Sequence, residues 1–327
     1  MKRLLLACIL SAFAGFVNAD TAPVRVGVLK FGTVNWELDV VQHHKLGADN
    51  GISLTVVPLG SKNATSVALQ GDAVDIIVTD WVWVSRQRAE GRKFVFFPYS
   101  LTVGSLFVRP DAGIIKLADL EGKKLGIAGG PVDKSWLLLR AYSKKTLDLD
   151  LKQAADPTFA APPLLNQLML QGDLPAVLNY WHYGARLEAA GMRPLIQVTD
   201  IMAGLGVSGS VPLLGWVFEE QWAAQNREAL VGFLRSSYAA KAILDGNEDE
   251  WQRIRPLTKA EDDKTLAALR DSYRLGIPRQ FGEPELTAAR QVFSLLAKEG
   301  GRDLVGRSNE LTAGTFWMET APQSLLP

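Results

Sequence analysis

The chain has 327 residues with 35 basic and 35 acidic side chains, so its formal net charge is zero. This length exceeds what one hydrophobic core usually organises and predicts two structural units. The sequence contains no basic patch of the kind that nucleic-acid-binding surfaces need, which excludes that class of function.

Residues 1–19 have the pattern of an export signal. Two basic residues precede an apolar run over 4–17, and small residues lead to a predicted cleavage after Ala19. The run is shorter than the roughly 20 residues of a membrane span, so a retained anchor is the weaker alternative. Cys8 lies inside the signal, where a weak lipoprotein-like box makes lipidation another alternative. The expected mature protein is periplasmic. It lacks a thiol for disulfides, thiolate metal sites or nucleophilic catalysis.

Apolar runs and helical spacing alternate through the first half of the mature chain. The predicted strands are 24–29, 52–59, 74–78, 94–99, 104–108, 124–128, 176–178 and 195–198. The predicted helices are 35–47, 63–70, 81–90, 134–146, 163–171, 181–190, 221–244, 259–275 and 284–298. Strands of this apolar density that alternate with helices favour mostly parallel sheets in an α/β protein.

This order predicts two lobes, each a mostly parallel sheet flanked by helices, with further helices at the C-terminus. We expect residues 20–103 to form the first part of lobe I and residues 104–206 to form lobe II. Residues 207–327 would return to lobe I and supply the C-terminal helices. The second crossing, near 201–215, is rich in glycine, as a hinge or loop would be.

The segment 119–142, DLEGKKLGIAGGPVDKSWLLLRAY, is the most informative in the chain. It predicts a short buried strand, a sharp turn at Gly129 and Gly130, and then the start of a helix. A helix N-terminus has free backbone N–H groups that can face a ligand. An ordinary strand–turn–helix connection is the alternative interpretation of this segment.

Four segments carry a family resemblance: KFGTVNW at 30–36, VTDWVW at 78–83, LADLEGKKLGIAGG at 117–130 and LNYWHYGARL at 178–187. With these segments in this order, the chain resembles the solute-binding proteins of ABC importers, most of all their nitrate, sulfonate and thiamine-precursor branch. The resemblance covers 24–298 and implies a two-lobed periplasmic-binding-protein fold of type II. It implies a receptor that closes over a small molecule by a hinge motion and delivers it to a membrane permease. We expect a monomer without cofactor, metal or enzymatic activity.

Ligands of open α/β sheets lie beyond the carboxyl ends of the strands. Carried over by position from the resemblance, together with the aromatic residue after the third strand, the ligand contacts fall at four such ends. The predicted ligand-binding residues are Asn35, Trp36, Thr79, Asp80, Trp81, Gly130, Asp133, Ser135, Asn179, Tyr180 and Trp181. For each aromatic residue the alternative is packing in the core, and for the two aspartates it is capping of the following helix.

The side-chain types at these positions predict the chemistry of the ligand. Aromatic faces favour a flat or cationic group, and carboxylates at Asp80 and Asp133 would repel an anion. We therefore expect a heteroaromatic or amine-bearing ligand. A small anion such as a sulfonate or nitrate is the alternative, because Lys30 and Lys134 could reverse the charge balance.

Two other functions are compatible with the same fold. One is an enzyme of the thiamine-pyrimidine-synthase type, which the export signal and the absence of a mature cysteine argue against. The other is a sensor that reports its ligand to a membrane kinase, which no feature of the sequence separates from a receptor. The adjacent His43 and His44 diverge by about 100° on a helix, so they do not predict a metal site.

Overall fold

The computed structural model describes residues 21–318 and 325–326. The predicted export signal at 1–19 and its cleavage site lie outside the described residues. The strands in the described part are β1 (Ala22–Leu29), β2 (Ile52–Leu59), β3 (Ile76–Asp80), β4 (Phe94–Ser100), β5 (Gly104–Val108), β6 (Lys124–Ala128), β7 (Asp156–Ala160), β8 (Ala176–Tyr180), β9 (Arg193–Gln197) and β10 (Leu214–Glu219). The α-helices there are α1 (Val34–His43), α2 (Leu46–Asp49), α3 (Lys62–Gln70), α4 (Trp81–Ala89), α5 (Lys134–Leu147), α6 (Leu151–Ala154), α7 (Pro162–Gln171), α8 (Trp181–Ala189), α9 (Val198–Leu205), α10 (Glu220–Gln225), α11 (Arg227–Gly246), α12 (Glu248–Thr258), α13 (Asp263–Leu275) and α14 (Glu283–Val305).

Two five-stranded sheets organise these elements. Sheet I has the order β2-β1-β3-β10-β4, and sheet II has the order β7-β6-β8-β5-β9. In sheet I, β1 pairs in parallel with β2 and β3, while β10 runs antiparallel between β3 and β4. In sheet II, β6 pairs in parallel with β7 and β8, while β5 runs antiparallel between β8 and β9. Four strands of each sheet therefore point the same way, and the predicted α/β class with two mostly parallel sheets is confirmed.

The prediction missed one strand in each sheet. β7 has the sequence DPTFA and lies at the edge of sheet II, half exposed. Its aspartate and proline conceal the apolar pattern that predicts a strand, and an edge position tolerates both. β10 is apolar and almost wholly buried. A strand that returns antiparallel through the middle of a sheet is not expected from simple alternation of strands and helices.

The helices after residue 197 also differ from the prediction. The glycine-rich crossing expected at 201–215 contains the end of α9, and the irregular connection is shorter, from Gly206 to Leu213. The single helix predicted at 221–244 is divided into α10 and α11 around Asn226. The prediction missed α12 because its sequence, EDEWQRIRPLT, is mostly polar and contains Pro256.

The C-terminal helices connect the two sheet units. α14 packs against α4, which follows β3 of sheet I, and against α5, which follows β6 of sheet II. α13 packs against α8 of the second unit and against α11 and α12. Among the described residues, no helix combines the length and apolar character that a bilayer crossing requires.

A buried ion pair joins α1 to α11 below sheet I. Glu37 and Lys241 are 0% and 1% exposed, and the lysine ammonium donates to the glutamate carboxylate. Ser237 and Tyr273 also donate to Glu37 through their hydroxyls, and the lysine nitrogen lies 3.9 Å from the ring centroid of Tyr99. Burial lowers the pKa of Lys241, and the Glu37 carboxylate opposes this shift.

Replacing Glu37 with Gln is expected to lower the free energy of unfolding by about 3–5 kcal/mol, because the Lys241 ammonium would stay buried without a countercharge. Urea denaturation at pH 7 measures the change. The matched control is Glu283→Gln at the exposed pair with Arg290, expected to stay within about 0.5 kcal/mol. A double variant, Glu37→Met with Lys241→Met, should recover much of the loss. Equal stabilities of Glu37→Gln and the control would contradict this account.

Candidate functional site

A cavity of about 420 Å³ lies where the carboxyl edges of the two sheets meet. Sheet I contributes the end of β3 with Thr79 and Asp80 and the loop after β1. Sheet II contributes 133–135, which follow β6, and 180–183, which follow β8. The connections between the sheets complete the wall with Thr102, Val103, Leu213 and Leu214. The cavity therefore occupies the position that parallel α/β sheets provide for ligands.

The turn after β6 requires glycine at its first position. Gly129 has a φ of +88°, and a Cβ at this residue would lie 2.9 Å from the Tyr180 hydroxyl. Both conformation and space therefore favour glycine. Gly130, which the sequence analysis placed at the ligand, has no neighbour within 4 Å of an added Cβ, and it does not line the cavity.

Asp133 caps α5 and is hydrogen-bonded through both of its oxygens. Oδ1 accepts the backbone N–H groups of Ser135 and Trp136 at 2.9 and 3.2 Å, and Oδ2 accepts the Tyr180 hydroxyl at 3.3 Å. Burial raises the pKa of Asp133, against the opposing effect of Lys134 and these hydrogen bonds. Burial and the neighbouring Asp133 carboxylate raise the pKa of Tyr180, so its hydroxyl remains a donor.

Asp80 caps α4 and forms ion pairs with two lysines. Its Oδ1 accepts the N–H of Trp83 at 2.9 Å, and its Oδ2 lies 2.7 Å from Lys62 Nζ and 3.2 Å from Lys134 Nζ. Burial opposes the charge on Asp80, but Lys134, Lys62 and the hydrogen bonds outweigh it and hold the pKa of this carboxyl well below its usual range. The Asp80 carboxylate in turn raises the pKa of Lys62.

Several contacts cross between the two units around the cavity. Lys134 is the first residue of α5 in the second unit, so its pair with Asp80 joins the two sheets. The rings of Trp36 and Trp181 meet edge to face with centroids 6.0 Å apart. Arg186 of α8 donates to the Thr258 carbonyl at the C-terminus of α12. The cavity is thus bounded by direct polar and aromatic contacts between the units.

Six helices begin at the cavity, and their first N–H groups are satisfied differently. Ser61 caps α3, and α7 begins with two prolines, which have no N–H. α4 and α5 are capped by the side chains of Asp80 and Asp133. α1 begins after Thr33 and α8 after Tyr180, and no side chain of the described residues caps either helix. First-turn N–H groups have no partner within their own helix and carry the positive end of its dipole. α1 and α8 therefore present the positive ends of their dipoles to the cavity. Several of their first N–H groups are already paired, because those of Asn35 and Trp36 donate to the carbonyls of Gly32 and Thr33, and that of Trp181 donates to the carbonyl of Val103.

Aromatic side chains at the start of α8 form one wall. The ring centroids of Trp181 and His182 are 5.4 Å apart, and those of His182 and Tyr183 are 4.3 Å apart. Phe31 lies at the cavity from the opposite unit and is 72% exposed. Lys259 Nζ lies 4.5 Å from the centroid of the Phe31 ring. The wall can stack a flat group. Lys259 covers the Phe31 ring but is not among the residues that line the cavity.

Six predicted residues line the cavity: Thr79, Asp80, Asp133, Ser135, Tyr180 and Trp181. Five others, Asn35, Trp36, Trp81, Gly130 and Asn179, do not line it. Trp81 faces α14, and its fully buried ring packs against Phe293 and Phe316. Trp36 is 4% exposed and supports Trp181 from behind. Both tryptophans therefore pack in the core, which was the alternative interpretation of each aromatic residue.

The two asparagines shape the loops at the cavity. Asn35 donates to the carbonyls of Leu29 and Gly32 and so holds the loop after β1. Asn179 donates to the Pro162 carbonyl and accepts the backbone N–H of Tyr180. Their amides are thus engaged with the backbone.

The predicted ligand-binding residues omit several polar or aromatic residues that line the cavity, among them Lys62, His182 and Tyr183. Lys62 follows β2, whose carboxyl end lies at the same edge of sheet I as that of β1, so the rule used for the other strands applies to it. The other two continue the aromatic run after Trp181. Within the described residues, no group of three His, Cys, Asp or Glu side chains is arranged to hold a metal ion.

A family model described as NMT1/THI5-like matches residues 47–243 of the chain. No curated protein sequence matches it. The fold is similar to that of the periplasmic aliphatic sulphonate binding protein SsuA from Escherichia coli, with a TM-score of 0.70 and 18% identity over 91% of this chain and 92% of that chain.

Two further solved structures are similar. The alkanesulfonate-binding protein SsuA from Xanthomonas axonopodis pv. citri, bound to MOPS, has a TM-score of 0.69 and 15% identity over 91% of this chain and 99% of that chain. The periplasmic nitrate-binding protein NrtA from Synechocystis PCC 6803 has a TM-score of 0.57 and 11% identity over 77% of this chain and 70% of that chain. At these identities the likeness shows the fold, which is that of two-lobed periplasmic binding proteins.

Replacing Asp80 with Asn is expected to lower the free energy of unfolding by about 2–3 kcal/mol at pH 7. Asn still caps α4, but Lys62 and Lys134 lose their countercharge, and the cost stays below that of a fully buried pair because Lys62 is 55% exposed. Because the folded pKa of Asp80 is depressed, this contribution is complete above the unfolded pKa near 3.8 and is lost as the pH falls below it.

Urea denaturation at pH 7 and pH 3 tests this, and the difference from the wild type should shrink at pH 3. Asp111→Asn, at the surface pair with Arg109, is the control and should change stability little at either pH. A difference that grows on acidification would contradict the assigned pKa direction.

Proposed function

This chain belongs to the NMT1/THI5-like family, and we propose that it is the periplasmic solute-binding receptor of an ABC importer. The observation that carries the proposal is the cavity at the facing carboxyl edges of two sheets, bounded by groups from both units. Such a site captures a small molecule when the units close. The receptor would then present the ligand to the membrane permease, as a monomer exported by the signal at 1–19.

The hydrogen-bonding capacity of the cavity supports a ligand that carries an anionic group. Both carboxylates are engaged, Asp80 by two lysines and a backbone N–H and Asp133 by two N–H groups and a hydroxyl. The ammonium groups of Lys62 and Lys134 each have three N–H donors, and Asp80 accepts only one from each. Together with the positive ends of the α1 and α8 dipoles, which no side chain caps, these donors favour an acceptor with negative charge.

The walls of the cavity support a flat ring on the same ligand. Trp181, His182 and Tyr183 offer ring faces and edges on one side, and Phe31 lies on the other. A bare inorganic anion would leave these surfaces unmatched. An amine-bearing ligand would need free carboxylate oxygens, which the lysines and helix caps occupy. We therefore propose a heteroaromatic or other flat ring bearing a carboxylate, sulfonate or similar group.

The alternative to a receptor is an enzyme on the same fold, and the two differ in the chemistry that the cavity must supply. Cys8 is the only cysteine of the chain and lies in the predicted signal, so the mature cavity has no thiol nucleophile. A receptor releases its ligand chemically unchanged, and mass spectrometry of ligand recovered after prolonged incubation separates the two functions.

A panel of small molecules tests the ligand class by thermal unfolding and calorimetric titration. We expect benzoate, nicotinate, benzenesulfonate and pyridine-3-sulfonate to stabilise the protein more than taurine, nitrate or benzylamine. A compound at 100 times its dissociation constant adds about 2.7 kcal/mol of stability. Lys134→Met should weaken the aromatic anions about tenfold, the equivalent of losing one charge-assisted hydrogen bond.

Lys123→Met at an exposed lysine is the matched control and should leave these affinities unchanged. Stronger binding of taurine, nitrate or benzylamine than of every aromatic anion would contradict the proposed ligand class.

Closure is the second part of the proposal, with the crossings near Thr102–Val103 and at 206–213 as the hinge. The cysteine-free mature chain permits site-specific spin labels at Val67→Cys on α3 and Leu164→Cys on α7, two exposed positions on different units. We expect a bound ligand to shorten the mean distance between the two labels and to narrow the distribution of distances, both measured by pulsed electron paramagnetic resonance. The control pair Leu147→Cys and Leu164→Cys, both in the second unit, should not change. An unaltered cross-unit distribution at saturating ligand would argue against closure.

A further inference from the structure

We propose that His182 determines ligand specificity by donating a hydrogen bond from Nε2–H of its neutral imidazole to an acceptor atom on the ligand ring. This inference rests on the proposed function, because it names the polar group that reads the ring held in the same cavity. His182 is the second residue of α8 and lines the cavity beside Trp181.

The imidazole is held in place by its neighbours on both sides. The Trp181 and Tyr183 rings contact it, with centroids 5.4 and 4.3 Å away, and the start of α8 is anchored by the Trp181 N–H donating to the Val103 carbonyl at 3.1 Å. The Tyr183 carbonyl accepts the amide of Asn166 at 2.9 Å. A donor supported in this way has a defined direction, which discrimination between similar ligands requires.

Two polar side chains near His182 already have partners within the protein. The Tyr180 hydroxyl donates to Asp133, and the Asn179 amide donates to the Pro162 carbonyl and to the Asn166 side chain. In contrast, Nδ1 of His182 is buried and has no hydrogen-bond partner among the described residues. Buried polar atoms are normally paired, so the unpaired Nδ1 constrains which ring nitrogen carries the proton.

The environment of the two ring nitrogens assigns the proton. Nothing near the buried Nδ1 accepts a hydrogen bond, and an orphaned N–H is rarer in proteins than an orphaned lone pair. The proton therefore belongs on Nε2, the nitrogen assigned to the hydrogen bond with the ligand. Burial, with a further contribution from Arg186, lowers the pKa of His182 to about 4. Lys134 and Asp133 border the same cavity. The imidazole is thus a neutral donor at pH 7, suited to a ring nitrogen or carbonyl oxygen.

Nuclear magnetic resonance of the free, ¹⁵N-labelled protein tests the assigned state without any ligand. The chain has three histidines, and the spectrum of His182→Gln identifies the signals of His182. The expected result is a neutral ring protonated at Nε2 from pH 8 to pH 5. A charged ring at pH 7, or a proton on Nδ1, would overturn the proposal.

Calorimetric titration with nicotinate and benzoate tests the specificity, because these acids differ by one ring nitrogen that accepts a hydrogen bond. The wild type should prefer nicotinate by about five- to tenfold, the worth of one hydrogen bond. His182→Phe keeps a flat ring without the donor and should reduce the preference to less than twofold. His182→Gln keeps an N–H donor and should restore most of it.

Equal affinities of the wild type for the two acids, or a full preference in His182→Phe, would overturn the role of His182 while leaving the receptor function intact. Failure of the wild type to bind either acid or either aromatic sulfonate would instead overturn the proposed ligand class, and with it the role assigned to His182.

Discussion

The carboxylate of Asp80 lies at the end of β3, and the arrangement around the cavity depends on how this buried charge is satisfied. One oxygen caps α4, and the other accepts Lys62 from its own unit and Lys134 from the opposite one. An unpaired charge in this position would be costly, since burial removes the water that solvates it. The requirement for countercharges brings the start of α5 to the end of β3 and so sets how closely the two units approach there.

The helix N-termini that meet at the cavity differ in whether a carboxylate compensates their positive end. Asp80 and Asp133 compensate the positive ends of α4 and α5, while α1 and α8 have no capping side chain. The positive ends of the α1 and α8 dipoles therefore remain without a compensating side chain, at the loop after β1 and at the end of β8, next to the aromatic wall. This division gives the cavity an orientation, with a region for negative charge beside a surface for a flat ring.

Behind the wall, aromatic packing extends into the buried ion pair of the first unit. Trp181 rests on Trp36, and Trp36 contacts Trp251 and Tyr273. The hydroxyl of Tyr273 donates to Glu37, whose partner is Lys241. The cavity surface is thus supported by a continuous layer of rings that ends in a fully paired charge. Such support restricts the side chains that face the cavity.

The sequence by itself determined the alternation of strands and helices, the two sheet units and the strand ends at which the cavity is found, because these features follow from local apolar patterns and from turns such as the one at Gly129. It could also name Asp80 and Asp133 as ligand contacts or helix caps. Only the tertiary structure showed that both cap their helices and that their other oxygens are paired, since the lysine at Asp80 from the other unit and the tyrosine at Asp133 are distant in sequence. The same holds for Trp36 and Trp81. A tryptophan after a strand has the same local pattern whether it faces a cavity or a helix, and the packing of α14 on α4 placed Trp81 in the core.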